Sequence, residues 1–305
     1  MNYDPAAVTI RTIRTVVYAS VLVGAAQLAA CSHADTAPPV ATVAFHASRS
    51  RVPLGSPVDL TYRFTVAPGA SIDGDYLVFM HVVSADGQTL WDDDHQPPTP
   101  TSQWKPGQTI EYTRPRFVPV VPYLGEATVR VGLYRDKTRL PLQGTDPADR
   151  KTMAREYKVG TIELLPSSDN VFISYTTGWF PDEADANDPT TSWRWTGPSA
   201  GWSIANPHGD ITLDVEYAAR PDLFPAGPQQ VTILAGDQPV ASFTADSKAP
   251  VLKRLPITAA QLGSADTVEF HLNVDRTFVP KVADPSSVDA RTLGIRVYHL
   301  FVEGR

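Results

Sequence analysis

One cysteine, Cys31, is all that 305 residues contain, so no disulfide can close within the chain and a folded body must be held by its core alone. Metal spacing is missing as well. The seven histidines, at 33, 46, 81, 95, 208, 271 and 299, show no H-x-x-x-H or other zinc pattern, and neither a metal nor a cofactor is assigned. Positive charge is scarce: 26 Lys and Arg stand against 33 Asp and Glu, a formal net charge of −7. A grip on phosphate backbones needs a basic face, which excludes nucleic acid as a partner. Helix-friendly sequence is lacking too, because 28 prolines exceed 19 glycines and each proline ring removes an amide donor and clashes with the preceding turn. A helix-dominated fold is thereby excluded. What is present, 42% hydrophobic and 19% charged residues over a length that suits about two domains, is ordinary for a folded protein.

The N-terminal residues 1–30 read as an export signal. Arg11 and Arg14 precede an uncharged stretch from Thr15 to Ala30, which falls short of the about 20 apolar residues of a spanning helix but suits a signal-peptide core. It ends in Leu28, Ala29, Ala30 and Cys31, which resembles the bacterial lipobox. That resemblance implies a diacylglycerol on the Cys31 thiol, cleavage before it and acylation of the new amino terminus. A conventional secretory signal with an incidental Cys31 is the other reading. Several acyl chains anchor firmly where one is marginal. Ser32 after the cysteine, rather than aspartate, implies the outer membrane by the same resemblance. Residues 31–40, with Pro38 and Pro39, are expected to form a loose lipidated tether.

From Ala41 onward the dominant period is two. Val58, Leu60, Tyr62 and Phe64 alternate with polar neighbours, as do Ala127, Val129, Val131 and Leu133, and in the second half Ile211, Leu213, Val215 and Tyr217. Asp86 and Gly87 supply a hairpin turn. Thr258 to Leu262 allows one helical turn, and Leu293 to Val302, apolar on both faces, predicts a central strand. The expectation is an all-β chain of two tandem β-sandwich domains, immunoglobulin- or fibronectin-like over 41–165 and jelly-roll-like over 170–305, with a breaker-rich boundary at Leu165 to Asn170.

Four of the six tryptophans, Trp179, Trp193, Trp195 and Trp202, fall close together in the second half. Flat aromatic faces suit sugar rings, and these four are candidate carbohydrate-binding residues. Large aromatics also fill sandwich cores, and Trp193 and Trp195 share one strand face. Asp182, Glu183, Asp185, Asn187 and Asp188 depart from the EF-hand pattern and read as a solvated acidic loop, as do Asp92, Asp93, Asp94 and His95. Gly197 to Gly201 spells G-x-S-x-G with Asp289 and His299 downstream, but Trp202 to Pro207 supplies no helix for a nucleophile elbow. Ser102 and Lys105 spell S-x-x-K, and Pro106 forbids the helix that motif needs. No catalytic residue and no enzyme activity is assigned.

The segments R-T-F-V-P, Arg276 to Pro280, and D-A-R-T-L-G-I-R-V, Asp289 to Val297, resemble a pattern in C-terminal β-sandwich domains of bacterial envelope and polysaccharide-associated proteins. Val78 to Val83, Trp104 to Gly107 and Val129 to Tyr134 look like the first sandwich of uncharacterised proteins from that setting. The resemblance implies a glycan-related neighbourhood and no defined reaction. Beside the four tryptophans, Asp289 and Arg291 are candidate hydroxyl partners; the plainer reading of the residues is that Asp275 or Asp289 forms a buried charge pair with Arg276 or Arg291 and clamps the loop. The expected function is a membrane-anchored, non-enzymatic envelope lipoprotein binding a glycan through its second sandwich. A structural or protein-interaction module with an envelope protein partner is the alternative.

Overall fold

The structure, a computed structural model, describes residues 35–144, 154–188 and 191–304. Cys31 and residues 1–30, on which the signal and lipid-anchor readings rest, lie outside the described residues.

The first sandwich contains β1 (Ala41–Ala47), β2 (Arg51–Pro53), β3 (Pro57–Val66), β4 (Leu77–Val83), β5 (Thr89–Asp92), β6 (Thr109–Phe117), β7 (Gly125–Arg135), β8 (Thr138–Arg139), β9 (Leu142–Gln143) and β10 (Tyr157–Leu165). One sheet has the order β6-β3-β1-β9; the other is β2-β10-β7-β4-β5, with β8 paired to β7. The edge segment changes sheets, β1 running antiparallel to β3 and β2 parallel to β10. This arrangement is immunoglobulin-like. The alternating residues of β3 and β7 face one another across the core, with Tyr62, Phe64, Val131 and Leu133 wholly buried.

Asp93 and His95 depart from the expected wet acidic loop: both are buried. Asp93 accepts hydrogen bonds from Tyr62 Oη at 2.9 Å, Arg114 at 2.9 and 3.0 Å, and Arg116 at 2.6 Å. His95 Nε2 meets Tyr112 Oη at 2.8 Å. A carboxylate leaves water only with such partners, and here they come from β3 and β6. The expected loose tether is also corrected from Asp35 on, because that carboxylate is buried and accepts from Arg155 Nε at 2.8 Å, while Val40 N donates to Pro141 O.

The second sandwich contains β11 (Ser174–Tyr175), β12 (Glu183–Ala184), β13 (Ser192–Trp195), β14 (Ser199–Ala205), β15 (Ile211–Ala218), β16 (Gln229–Ala235), β17 (Gln238–Ala245), β18 (Val251–Ile257), β19 (Thr267–Val274) and β20 (Arg296–Gly304). Its sheets are β11-β14-β19-β16-β17 and β12-β13-β20-β15-β18. Without the two-residue edge strands β11 and β12, the order becomes first-eighth-third-sixth against second-seventh-fourth-fifth, all antiparallel. That is the jelly-roll order. The helical turn α1 (Ala259–Leu262) carries a full capping box between Thr258 and Gln261.

β15 was expected to keep one face wet, yet Thr212 and Asp214 on its polar side are buried. Arg254 of β18 crosses that face. Its guanidinium donates to Asp59 of β3 at 2.7 and 2.5 Å, and its Nε lies 3.4 Å from Asp214. Beside it Arg49 pairs with Glu303 at 2.8 Å, and Phe117 stacks on His299 with ring centroids 4.1 Å apart. The first sandwich therefore covers one end of the outer face of this sheet, and Asn170 ties the junction through Ser56 and Leu54.

Burial pushes the Asp214 carboxyl up to about 6, against the partial relief of Arg254 and with the Glu303 charge adding to the rise. The folded state thus holds this proton over a range where the unfolded chain has lost it, so the group's contribution falls as pH rises from about 4 through 6. Relative to Asp214→Asn, the parent chain is expected to lose ~2 kcal/mol of stability between pH 4 and pH 8. Urea midpoints of both proteins across that range check this; parallel pH profiles would contradict it.

Candidate ligand-binding cleft

The site begins with the W-x-W of β13. Trp195 is the cross-strand partner of Arg296, and Arg194 that of Val297. Val297 belongs to the core, so by strand alternation Trp193, Trp195 and Arg296 turn to the outer face of the sheet. The Arg296 guanidinium lies 4.8 Å from each of the two indole centroids, and Tyr298 packs against Trp193 at 5.8 Å. Indole faces carry negative charge density, which favours a cation sandwiched between them.

The segment from Arg276 to Leu293 folds over this ladder. Phe278 pairs with Leu293 through two backbone hydrogen bonds of 2.9 and 2.8 Å and sets its ring edge-on to Trp195 at 5.6 Å. The fully buried Gln229 amide donates to the carbonyls of Arg276 and Gly294, fastening both ends of the loop. Gly294 permits the re-entry: a Cβ there would sit 2.4 Å from Thr196 Oγ1 and 2.7 Å from Gly197 O. The short helix α2 (Pro280–Ala283) forms part of the lip.

Between loop and sheet lies a cleft of about 290 Å³, with Trp195 and Phe278 as apolar walls and Arg220, Arg291, Arg296 and Asp289 among its polar ones. Arg291 grips Asp289 with contacts of 2.7 to 3.1 Å and reaches Glu183 at 2.6 Å. Those bonds hold the Asp289 carboxyl below its usual range. Arg220 is bidentate to Asp222, whose carboxyl is drawn down to about 2 by the hydrogen bonds from Arg220.

The four tryptophans are separated by this architecture. Trp202 is 1% exposed, stacked on Phe270 at 5.2 Å inside the core, and Trp195 is 5% exposed under Arg296 and Phe278. Neither presents an open face to a sugar, which corrects their assignment as stacking platforms. Trp179 is half-buried, donating to Gly201 O at 2.6 Å and lying edge-on to Tyr175, and Trp193 is half-buried beside Glu183. Trp179, Trp193 and Tyr175 line a second recess of about 120 Å³. Asp289 and Arg291 come together at the main cleft, and the Asp289–Arg291 and Asp275–Arg276 pairs both form, half-exposed rather than buried.

The letter-matched catalytic residues are dispersed. Ser199 opens a strand, Asp289 holds Arg291, and His299 hydrogen-bonds Glu216 at 2.7 Å while stacking on Phe117. The expected wet loop near 182–188 is in part an anchor: Asp182 pairs with Arg194 and Glu183 with Arg291. Among the described residues no group of three or more His, Cys, Asp or Glu is placed to hold a metal ion. Arg296, Phe278 and Arg220 were missing from the sequence-derived site. A W-x-W opposite an R-x-Y is a signal for them, but it appears only once the β13–β20 register is known.

No known family pattern matches this chain, and no curated protein does. Among solved structures it is similar to a Bacteroides uniformis β-glucuronidase, at 9% identity over 86% of this chain and 30% of that one, with a TM-score of 0.26. It is similar also to the CBM51-2 and INT domains of Clostridium perfringens ZmpB, at 11% identity over 59% of this chain and 39% of that one, TM-score 0.20. A Salmonella α-2-macroglobulin matches at 14% identity over 89% and 15%, TM-score 0.24. The chain spans about a third of the length of the first two. Likeness of this size says nothing about ligand or reaction.

Trp202→Ala, emptying a core stack, is expected to cost ~3–5 kcal/mol of unfolding free energy. Trp193→Ala, removing one side of an accessible cation–π sandwich, is expected to cost about 1 kcal/mol. Urea denaturation of the two variants distinguishes them; similar losses would show that Trp193 is a core residue.

Proposed function

We propose that this protein is an exported lipoprotein, anchored through Cys31 in the outer membrane, whose second sandwich binds carbohydrate non-enzymatically in the cleft beneath the Arg276-to-Leu293 loop. The cleft carries the reading: apolar surface from Phe278, Leu223 and Pro280 meets convergent guanidinium and carboxylate groups in a volume of about 290 Å³. A sugar has the matching character, with C–H surface on its ring faces and hydroxyls around its rim. Arg291 and Asp289 supply donor and acceptor at fixed positions because each holds the other.

Anchoring would also orient the molecule. Asp35 is fastened to Arg155, so only the three residues 32–34, four Cα steps in all, separate a lipidated Cys31 from the first sandwich. Fully extended they reach at most ~14 Å, which keeps that sandwich at the lipid surface. The alternative, a protein-interaction module, is favoured by the exposed apolar side chains Val120, Leu124 and Phe172, with Phe172 80% exposed on the connection between the sandwiches.

A glycan array probed with the lipid-free fragment from Ser32 is expected to show carbohydrate binding that Arg291→Ala weakens at least ~10-fold. No sugar bound, together with a stoichiometric co-purifying protein, would replace this reading by the alternative. Cys31→Ser is expected to lose acyl label and membrane partitioning; unchanged partitioning would end the anchor proposal.

A further inference from the structure

We infer that the cleft selects an acidic glycan, with Arg296 as the residue that pairs with a sugar carboxylate; this deepens the carbohydrate reading and rests on it. An arginine is charged at every physiological pH, so the partners of each cleft arginine can be counted. Arg220 spends its charge on Asp222, and Arg291 on Asp289 and Glu183. The Glu183 carboxylate is fully engaged, one oxygen with Arg291 and the other accepting from Trp193 Nε1 at 3.2 Å. Arg296 is different. Among the described residues it has no ion-pair or hydrogen-bond partner, its Nε is buried and unbonded, and its contacts are the two indole faces.

Contact with both indoles holds the half-buried guanidinium in place at the wall of the cleft, where its terminal nitrogens offer a preorganised fork for a carboxylate. Among the described residues Arg296 is the cleft arginine without a carboxylate against it, so a ligand carboxylate placed there gains a partner the protein does not supply. The neighbouring carboxylates of Glu183, Asp284 and Asp289 disfavour a dianion such as a phosphate monoester, and they also repel a ligand whose charge falls anywhere but on Arg296. An uronic-acid unit meets these terms: one carboxylate for Arg296, ring hydroxyls for Asp289 and Arg291, and an apolar face toward Phe278.

The test titrates the full chain with an oligouronate and with the same oligosaccharide after reduction of its carboxyl groups, following tryptophan fluorescence and calorimetric heat. The oligouronate is expected to bind at least ~10-fold more tightly, and added salt should narrow the gap. In Arg296→Gln the ratio of the two affinities should fall to about one, whatever the absolute affinity of the variant; Arg296→Lys, keeping charge without the fork, should recover only part of that ratio. Equal binding of the two sugars by the parent chain overturns the inference without any variant. So does tighter binding of a sulfated neutral oligosaccharide, or an Arg296→Gln loss equal for both sugars in a protein of unchanged urea midpoint. Binding of neither sugar sinks the carbohydrate reading itself, a result distinct from binding without discrimination.

Discussion

A central strand with large side chains on both faces needs cover on both, and β20 is covered by three parts of the chain, fully on its inward face and partly on its outward one. Its inward residues Val297, Leu300 and Val302 face the core of the jelly roll. Its outward residues cannot all remain wet beside Trp193, Trp195 and Phe301, so the outer face is closed at one end by the first sandwich and at the other by the Arg276-to-Leu293 loop. The bulge opposite Glu216 and Tyr217 places Tyr298 and His299 both outward and so serves both coverings. Interface and cleft are two consequences of one two-sided strand.

The coverings differ in kind. At the interface, arginines and carboxylates from the two sandwiches interlock, Arg254 with Asp59 and Arg49 with Glu303, and the surplus anion Asp214 is left in a poorly solvated place. At the cleft the loop brings its own Asp289–Arg291 pair and takes Glu183 from β12, leaving Arg296 without a carboxylate among the described residues. In both places the unmatched charge marks where the structure responds to its surroundings: to pH at Asp214, to a ligand anion at Arg296. Matched pairs of this partly exposed kind add modest stability and mainly set geometry.

Much of the fold was legible because the strands repeat a two-residue pattern that physics forces on any half-buried sheet. Val58 to Phe64, Ala127 to Leu133 and Ile211 to Tyr217 all point their apolar residues inward as read, and Thr258 caps its single helical turn. The misreadings share a cause. Asp35, Asp93, His95 and Asp214 are polar residues whose partners lie far along the chain, so burial could not be seen from their neighbours. The tryptophans failed in the same way: Trp193 and Trp195 were rightly placed on one face, but which ring the loop would cover depends on Phe278, more than eighty positions later.

Local patterning thus determined the all-β class and the jelly-roll and immunoglobulin-like halves, because periodicity and proline content act through near neighbours. Tertiary structure alone decided that Trp202 is core, that Arg254 spans the two sandwiches, and that Arg291 and Asp289 meet Arg296 around a cleft. The reason is that a side chain's solvation and its ion partner are set by whatever packs across from it. Here β13 pairs with β20 and β14 with β19, strands that lie far apart in sequence.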